Sequence, residues 1–164
     1  LVVQPFPDIL KGLIRIVIEP DLLITDYFAV GGIGAAMINA GIITLISLAM
    51  IYFLKMEMSG HTITAVFLMF GFSLFGKNIM NIWAILAGVF LYSRYHKTSF
   101  HRYLYIGLYG TSLSPIMTQI MQIGHLPVYA RVLISLAVGI SIGFVLPPLS
   151  THVHYAHNLS LIHI

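Results

Sequence analysis

The chain has 164 residues, of which 59% are hydrophobic and only 8% are charged. Soluble domains carry roughly 25% charged residues, so this composition argues against an ordinary soluble domain. A formal charge of +3 is too small and too dispersed for a nucleic-acid-binding surface, and the lack of cysteine excludes disulfides and thiolate metal sites.

Charged residues are confined to short joints between apolar stretches. The charge-free stretches cover residues 27–54, 58–76, 78–93, 103–130 and 132–164. Apolar runs near or above ~18 residues, separated by short charged joints, are typical of a chain that crosses a bilayer repeatedly. We therefore predict an all-α fold: a polytopic transmembrane helix bundle of about five spans or half-spans, forming a single transmembrane domain over residues 1–158.

The first predicted element, residues 7–20, is an amphipathic helix. Asp8 follows a proline, as at many helix starts, Arg15 and Glu19 form an i,i+4 pair, and Pro20 ends the run. The helix is too short to span a bilayer, so we expect it to lie in the membrane interface. The alternative is a soluble helix packed on a loop.

The first membrane segment, residues 26–54, begins with many small residues. Gly32, Ala36 and Ala40 are four apart and share one face, which lets helices pack closely in lipid. Asn39 lies beside this stripe, near the predicted bilayer midplane. It either packs between helices with one hydrogen bond, which we favour, or lines a solute path. The dense glycines are also compatible with a broken or re-entrant start.

The next two segments, residues 60–76 and 79–93, are short for a hydrocarbon core of about 30 Å. We favour two short spans over half-helices that meet at a break inside the membrane. Lys77, with Asn78 and Asn81 beside it, is then either an ordinary turn lysine or a buried charge facing a polar cavity. A half-helix starting at Asn78 would also present backbone N–H groups to an anion or a polar solute.

The joint 94–102 is the densest positive cluster in the chain. The positive-inside rule places it in the cytoplasm of a multi-pass cell-membrane protein. Counting back through three spans puts Lys55 inside and Asp26 outside, where we expect Asp26 to cap the first span. Tyrosines flank the joint where an aromatic belt is expected: Tyr92, Tyr95, Tyr103 and Tyr105.

The fourth segment is residues 103–123 and the fifth is residues 128–146. We expect Pro147 and Pro148 to stop the fifth, because proline cannot donate the next helix hydrogen bond, and Pro115 to kink the fourth. The fourth segment carries polar residues that bond neighbouring helices or, as the sharper hypothesis, line a pore: Thr111, Ser112, Ser114, Thr118, Gln119 and Gln122.

Histidines near the end of the chain suggest a metal site, but we predict none. Of His152, His154 and His157, only the last two share a helical face, and no carboxylate or cysteine is near. No nucleophile elbow, P-loop, HExxH or carboxylate pair within a span is present. We therefore predict no catalytic residue, no cofactor and no enzyme.

Residues 159–164 match one reading frame of a common sequencing adapter. We expect them to be an artefact and the natural chain to have been cut near Asn158. The predicted partners are then the lipid bilayer and a missing C-terminal half of the same chain, with a homo-oligomer left open and no nucleic acid.

Several stretches resemble the family of domain of unknown function 1576, presumed bacterial integral membrane proteins. The stretches are residues 20–27 (PDLLITDY), 31–36 (GGIGAA), 39–41 (NAG), 71–78 (GFSLFGKN) and 147–150 (PPLS), with His152. The resemblance covers most of residues 5–158 and implies a place in a membrane, within a longer protein, but no particular activity. A small-residue segment (31–41) is followed by a helix and a broken segment (71–81), and this order is similar to that of urea-transporter-type channels. The similarity implies a channel or transporter but no site residue.

Three functional hypotheses follow. The leading one is a small-solute transporter or channel half, with Asn39, Lys77, Asn78 and Asn81 on the path. The alternative is a non-transporting membrane scaffold or assembly subunit, and a membrane enzyme comes third. Close approach of the small-residue stripe to the 77–81 break would favour transport, whereas an exposed stripe without a polar cavity would favour the scaffold.

Overall fold

The computed structural model describes residues 4–18 and 25–162, with side chains as far as residue 152. This part of the chain is helical almost throughout, which confirms the predicted all-α fold. The helices are α1 (Phe6–Ile18), α2 (Tyr27–Gly31), α3 (Ile33–Phe53), α4 (Gly60–Phe72), α5 (Trp83–Tyr95), α6 (Leu104–Gly110), α7 (Pro115–Ile120) and α8 (Val128–Ile162). The predictions for Glu19 and Pro20, and for the side chains of His154, His157 and residues 159–164, lie outside what the structure describes.

Helix α1 presents three different faces. Its buried face packs Gly12 and Ile16 against α2 and α3, with Gly12 so close to the Gly31 carbonyl that a side chain would not fit. A second face exposes large apolar side chains: Leu10, Ile14, Val17 and Ile18. A third exposes charged ones: Asp8, Lys11 and Arg15. A helix at a membrane interface needs both an apolar and a charged outer face, so this arrangement agrees with the predicted placement.

The predicted first membrane segment is broken near its start, at Gly32. Gly32 has φ 82°, a left-handed conformation that favours glycine, and it separates the short α2 from α3. The Gln4 side chain bridges the break: its Nε2 donates to the Gly31 carbonyl at 3.1 Å, and its Oε1 accepts from the Gly34 N–H at 3.0 Å. Backbone groups left unpaired at the two helix ends are thereby satisfied.

Helices α3 and α8 are long and apolar enough to cross a membrane, judged by length and composition. Ile33–Phe53 has 21 residues and mean hydropathy 2.0, and Val128–His152 has 25 residues and mean hydropathy 2.2. Only 33% and 22% of their most apolar windows are buried within the protein. The core helix of a soluble protein would be mostly buried, so these outward-facing apolar surfaces suggest membrane association.

Helix α8 runs through Pro147 and Pro148, so the predicted stop at residue 146 is wrong. The two prolines remove two backbone donors, but neighbouring helices can hold a helical backbone across such a gap. Here α8 packs directly along α5, where Gly88 and Gly143 let the two backbones touch. A Cβ on either glycine would overlap the Ile140 or Ile85 carbonyl oxygen of the facing helix.

The predicted fourth segment is divided into α6 and α7 by a 3-10 turn at Thr111–Leu113. Pro115 occupies the first turn of α7, where its missing N–H has no helical partner to lose. The largest apolar cluster lies where α3, α4, α5 and α6 meet, and its buried members are Ile43, Ile51, Ala65, Met69, Leu86, Leu104 and Leu108. The polar segment between α4 and α5 lies beside this cluster, through Met69.

Candidate functional site

The candidate site is the non-helical segment 73–82 between α4 and α5, which we call the polar break. It is buried although it is polar: Lys77 and Asn78 are each 1% exposed and Asn81 is 5% exposed. The favoured prediction of Lys77 in an ordinary exposed turn is therefore wrong, because neighbouring elements cover the break. The helices on either side of the break, α4 and α5, have 13 residues each, and their assignment as two short spans or as half-helices that meet inside the membrane stays a prediction.

Asn39 joins the polar break to the middle of α3. Its Nδ2 donates to the Ser73 carbonyl at 2.7 Å and to the Lys77 carbonyl at 2.9 Å. Ala36 and Ala40, from the predicted packing stripe, are fully buried on the same helix. Leu74 of the polar break packs against the cluster that contains Ala36, and such a close approach of the stripe to the break would favour the transport hypothesis. The third stripe residue, Gly32, instead forms the bend between α2 and α3.

Asn78 and Asn81 hold each other in a compact turn. Asn81 Oδ1 accepts from the Asn78 N–H at 3.0 Å, and Asn78 Oδ1 accepts from the N–H groups of Met80 and Asn81 at 2.9 and 3.2 Å. Asparagine commonly bonds local backbone in this way. Helix α5 begins only at Trp83. The predicted half-helix N-terminus at Asn78 is therefore wrong, and these N–H groups are already bonded.

The same two asparagines reach three other parts of the chain. Asn81 Nδ2 donates to the Gly76 carbonyl at 2.9 Å and to Thr118 Oγ1 on α7 at 3.2 Å. Asn78 Nδ2 lies 3.3 Å from the Tyr27 hydroxyl and 3.5 Å from the Ile16 carbonyl. The polar break is thus bonded to α1, α2, α3 and α7.

The polar break also pairs with the residues just before α2. Asp26 and Phe75 form an antiparallel bridge, and the Tyr27 N–H donates to the Leu74 carbonyl at 3.2 Å. Asp26 caps α2, as predicted, by accepting from the Phe28 N–H at 2.9 Å. The polar break is therefore in direct backbone contact with the start of α2.

The Lys77 ammonium lies between a thioether and an aromatic ring. Nζ is 3.2 Å from Met69 Sδ and 5.4 Å from the centroid of Phe72. An ammonium has three donors and a thioether is a weak acceptor. Among the described residues no carboxylate forms an ion pair with Lys77. A buried charge without a full set of partners is costly, so Lys77 is the least satisfied group of the polar break.

A half-open cavity of about 490 Å³ adjoins the polar break. Asn78 and Asn81 line it, together with Thr118 and Gln122 from the predicted fourth segment, whereas Asn39 and Lys77 do not reach it. The structure therefore brings all four predicted path residues into one region and places two of them at a cavity wall.

Tyr27, Met69 and the Ile16 carbonyl belong to this region but were not predicted from the sequence. Their residue types carry no signal for it, since two are ordinary apolar-segment residues and the third contributes only backbone. Thr118 and Gln122 did carry a sequence signal, because they are polar residues in an apolar segment. Over the described side chains, no three histidines, aspartates or glutamates lie close enough to hold a metal ion.

Comparison with known proteins gives a family but no close relative of established activity. No curated protein matches the chain, and no solved structure does. The family described as "Protein of unknown function (DUF1576)" matches residues 6–161. That match covers nearly the whole chain and agrees with the resemblance seen in the glycine-rich and Lys77-containing motifs. The chain therefore belongs to the DUF1576 family.

Proposed function

We propose that this chain is a multi-pass integral membrane protein that moves a small solute, as a channel or as half of a transporter. The observation that carries the proposal is the polar break, with its buried lysine, inside a helical bundle whose outer surface is apolar. The path would run past Asn39, Lys77, Asn78 and Asn81.

The outer surface supports a lipid environment. Large apolar side chains point away from the bundle along α3 and α4, including Leu45, Phe53 and Phe67, which are 66%, 78% and 73% exposed. Such continuous apolar exposure is a liability in water and is favourable in hydrocarbon. The 59% hydrophobic composition agrees.

The backbone geometry supports a path. Non-helical backbone at membrane depth is tolerated where it is buried in protein or lines a water-filled cavity, and transporters bind solutes at interrupted helices. Here the polar break pairs with the start of α2, the short helix that ends at the Gly32 interruption. An ionisable side chain in such a place is a candidate for solute recognition.

The proposed orientation rests on charge alone, but contacts between α4 and α6 support the proposed number of spans. The Tyr109 hydroxyl donates to the His61 carbonyl at 3.1 Å, and Tyr105 bonds Thr62 Oγ1 at 2.6 Å. The start of α4 therefore lies beside α6, at the same end of the bundle as the 94–102 joint. This agrees with a count of membrane spans that puts Lys55 and the 94–102 joint on the same side of the membrane, proposed to be the cytoplasmic side.

The absence of cysteine from the chain permits a direct test of the path. Lys77→Cys, reconstituted in sealed vesicles, is treated with a small, hydrophilic, membrane-impermeant thiol reagent, with Leu45→Cys as the lipid-facing control. We expect Lys77→Cys to react at least tenfold faster than Leu45→Cys. Equal and negligible reaction at both positions would contradict a water-accessible path.

Solute movement itself is read by vesicle swelling. Vesicles containing the protein are exposed to a panel of small neutral and ionic solutes, and the Lys77→Met variant serves as the comparison. We expect at least one solute to enter faster than in protein-free vesicles, and that entry to fall in the variant. No solute entering above the protein-free rate would exclude transport.

A second candidate function is a non-transporting scaffold or assembly subunit. The observation in its favour is that the carboxamides of Asn39, Asn78 and Asn81 already bond other parts of the domain. On this account they hold the fold together and bind no solute. The candidate predicts a homo-oligomer or another membrane complex, detectable by cross-linking in native membranes, together with no flux in the swelling assay.

A further inference from the structure

The cavity beside the polar break has the size of a small-molecule site. Its volume of about 490 Å³ falls within the roughly 300–1,000 Å³ typical of ligand pockets. It is enclosed by the end of α1, the 78–81 turn, α7 and the first turns of α8. It does not include Asn39 or Lys77, so it is distinct from the proposed path around the lysine.

One wall of the cavity offers hydrogen-bonding groups that the protein leaves unused. Thr118 Oγ1 accepts a bond from Asn81, but over the described residues its own proton has no acceptor. The Gln122 carboxamide forms no hydrogen bond with any described residue, and both side chains line the cavity. By contrast, Asn78 Oδ1 already accepts two backbone bonds, and Asn81 Nδ2 already donates to the Gly76 carbonyl and to Thr118 Oγ1. The wall at Thr118 and Gln122 is therefore where a ligand can bond.

The rest of the cavity is apolar and adaptable. Methionines contribute much of the lining: Met80, Met117 and Met121. Their flexible, polarisable side chains fit around ligands of varied shape. Val17 of α1 and Leu136 of α8 continue the apolar surface outward, and both are partly exposed on the apolar outside of the protein.

The described residues that line the cavity are all uncharged. Moving an ion into such a site would cost its hydration without providing a countercharge. A neutral ligand with a polar end loses less hydration free energy than an ion does, because Thr118 and Gln122 replace its hydrogen bonds to water.

We propose that this cavity binds a neutral amphipathic molecule, with a hydroxyl or amide head bonded to Thr118 and Gln122 and an aliphatic chain lying along the methionines. This goes beyond the proposed transport function, because binding here requires no flux and no role for Lys77.

Photolabelling provides the test. The protein, reconstituted in lipid nanodiscs, is irradiated with a medium-chain alcohol that carries a diazirine, and labelled residues are mapped by mass spectrometry. We expect saturable labelling at Met80, Met117 and Met121. Excess 1-octanol or octanamide should displace it, whereas octanoate and octylammonium should not. Non-saturable labelling spread along the apolar outside of α3 would overturn the proposal, as would equal competition by the charged compounds.

A matched pair of variants assigns the polar contact. Gln122→Leu removes the free carboxamide without breaking a bond within the described protein, and Gln119→Leu makes the same change at an exposed residue outside the cavity. We expect the probe to bind about 3- to 10-fold more weakly to Gln122→Leu, as for loss of one hydrogen bond, and unchanged to Gln119→Leu. Leu136→Trp should fill the cavity and abolish saturable labelling. Equal binding to all three variants would overturn the proposal.

Discussion

The α5–α8 contact and the polar break are both buried, but they are held together by different forces. Along α5 and α8, Gly88 and Gly143 let two helices touch through backbone, and shape alone decides the fit. In the polar break, irregular backbone is held by amide side chains that satisfy its carbonyls and N–H groups. We therefore expect added side-chain volume to destabilise the α5–α8 contact, and the loss of an amide hydrogen bond to destabilise the polar break.

The largest effect should come from removing the bonds between α3 and the polar break. Asn39→Leu keeps the branched shape of the side chain, with a larger volume, but leaves the Ser73 and Lys77 carbonyls without their buried donor. Each unsatisfied group costs about 1–3 kcal/mol, so the two carbonyls together should lower the unfolding free energy by about 2–6 kcal/mol, measured by denaturant titration in detergent. Ser47→Ala, on the same buried face but bonded only within α3, is the control and should lose about 1 kcal/mol or less.

A change of opposite sign is expected at Lys77. Lys77→Met removes a buried ammonium while retaining a long apolar side chain. Replacing buried charge by packed apolar groups is often neutral or stabilising by about 1–4 kcal/mol, so the thermal midpoint should rise or stay unchanged. Lys11→Met, at an exposed position on α1, should have little effect. A marked destabilisation by Lys77→Met would show that the ammonium has a stabilising partner.

The glycine contact should respond to a single methyl group. Gly88→Ala places a Cβ against the Ile140 carbonyl, and we expect a loss of about 1–3 kcal/mol from overpacking. Gly41→Ala adds the same methyl group to α3 in open space and should be neutral or stabilising, since alanine favours helix more than glycine does. Equal unfolding midpoints for the two variants would contradict the close α5–α8 packing.

The smallest effect is expected at the Gly32 bend. Gln4→Leu removes both bonds that bridge the Gly31 carbonyl and the Gly34 N–H, in a half-exposed position where water can replace them. We expect a loss of about 1–2 kcal/mol and faster hydrogen exchange of the Gly34 amide. Unchanged exchange at Gly34 would indicate that the bend is stable without Gln4.

Patterns local in sequence predicted the helical fold and the joints, and they left open a broken start to the first membrane segment, which the structure shows at Gly32. They also identified Asn39, Lys77, Asn78 and Asn81 as a group, because polar residues in apolar segments are rare. They did not favour a buried Lys77, since its burial depends on how the break folds back so that the ammonium lies against Met69 and Phe72. Nor did they predict the Gly88–Gly143 contact or the helix through Pro147, because tertiary packing decides both.

The bonds of Asn78 have a consequence for the order of assembly. This side chain reaches the Ile16 carbonyl across 62 residues of sequence, and Asn39 reaches Lys77 across 38. Contacts between such distant residues form only after the intervening chain has been arranged. The asparagines therefore acquire their partners only once α1, α3 and α7 have come together, so the polar centre of the domain depends on the assembly of the helices around it.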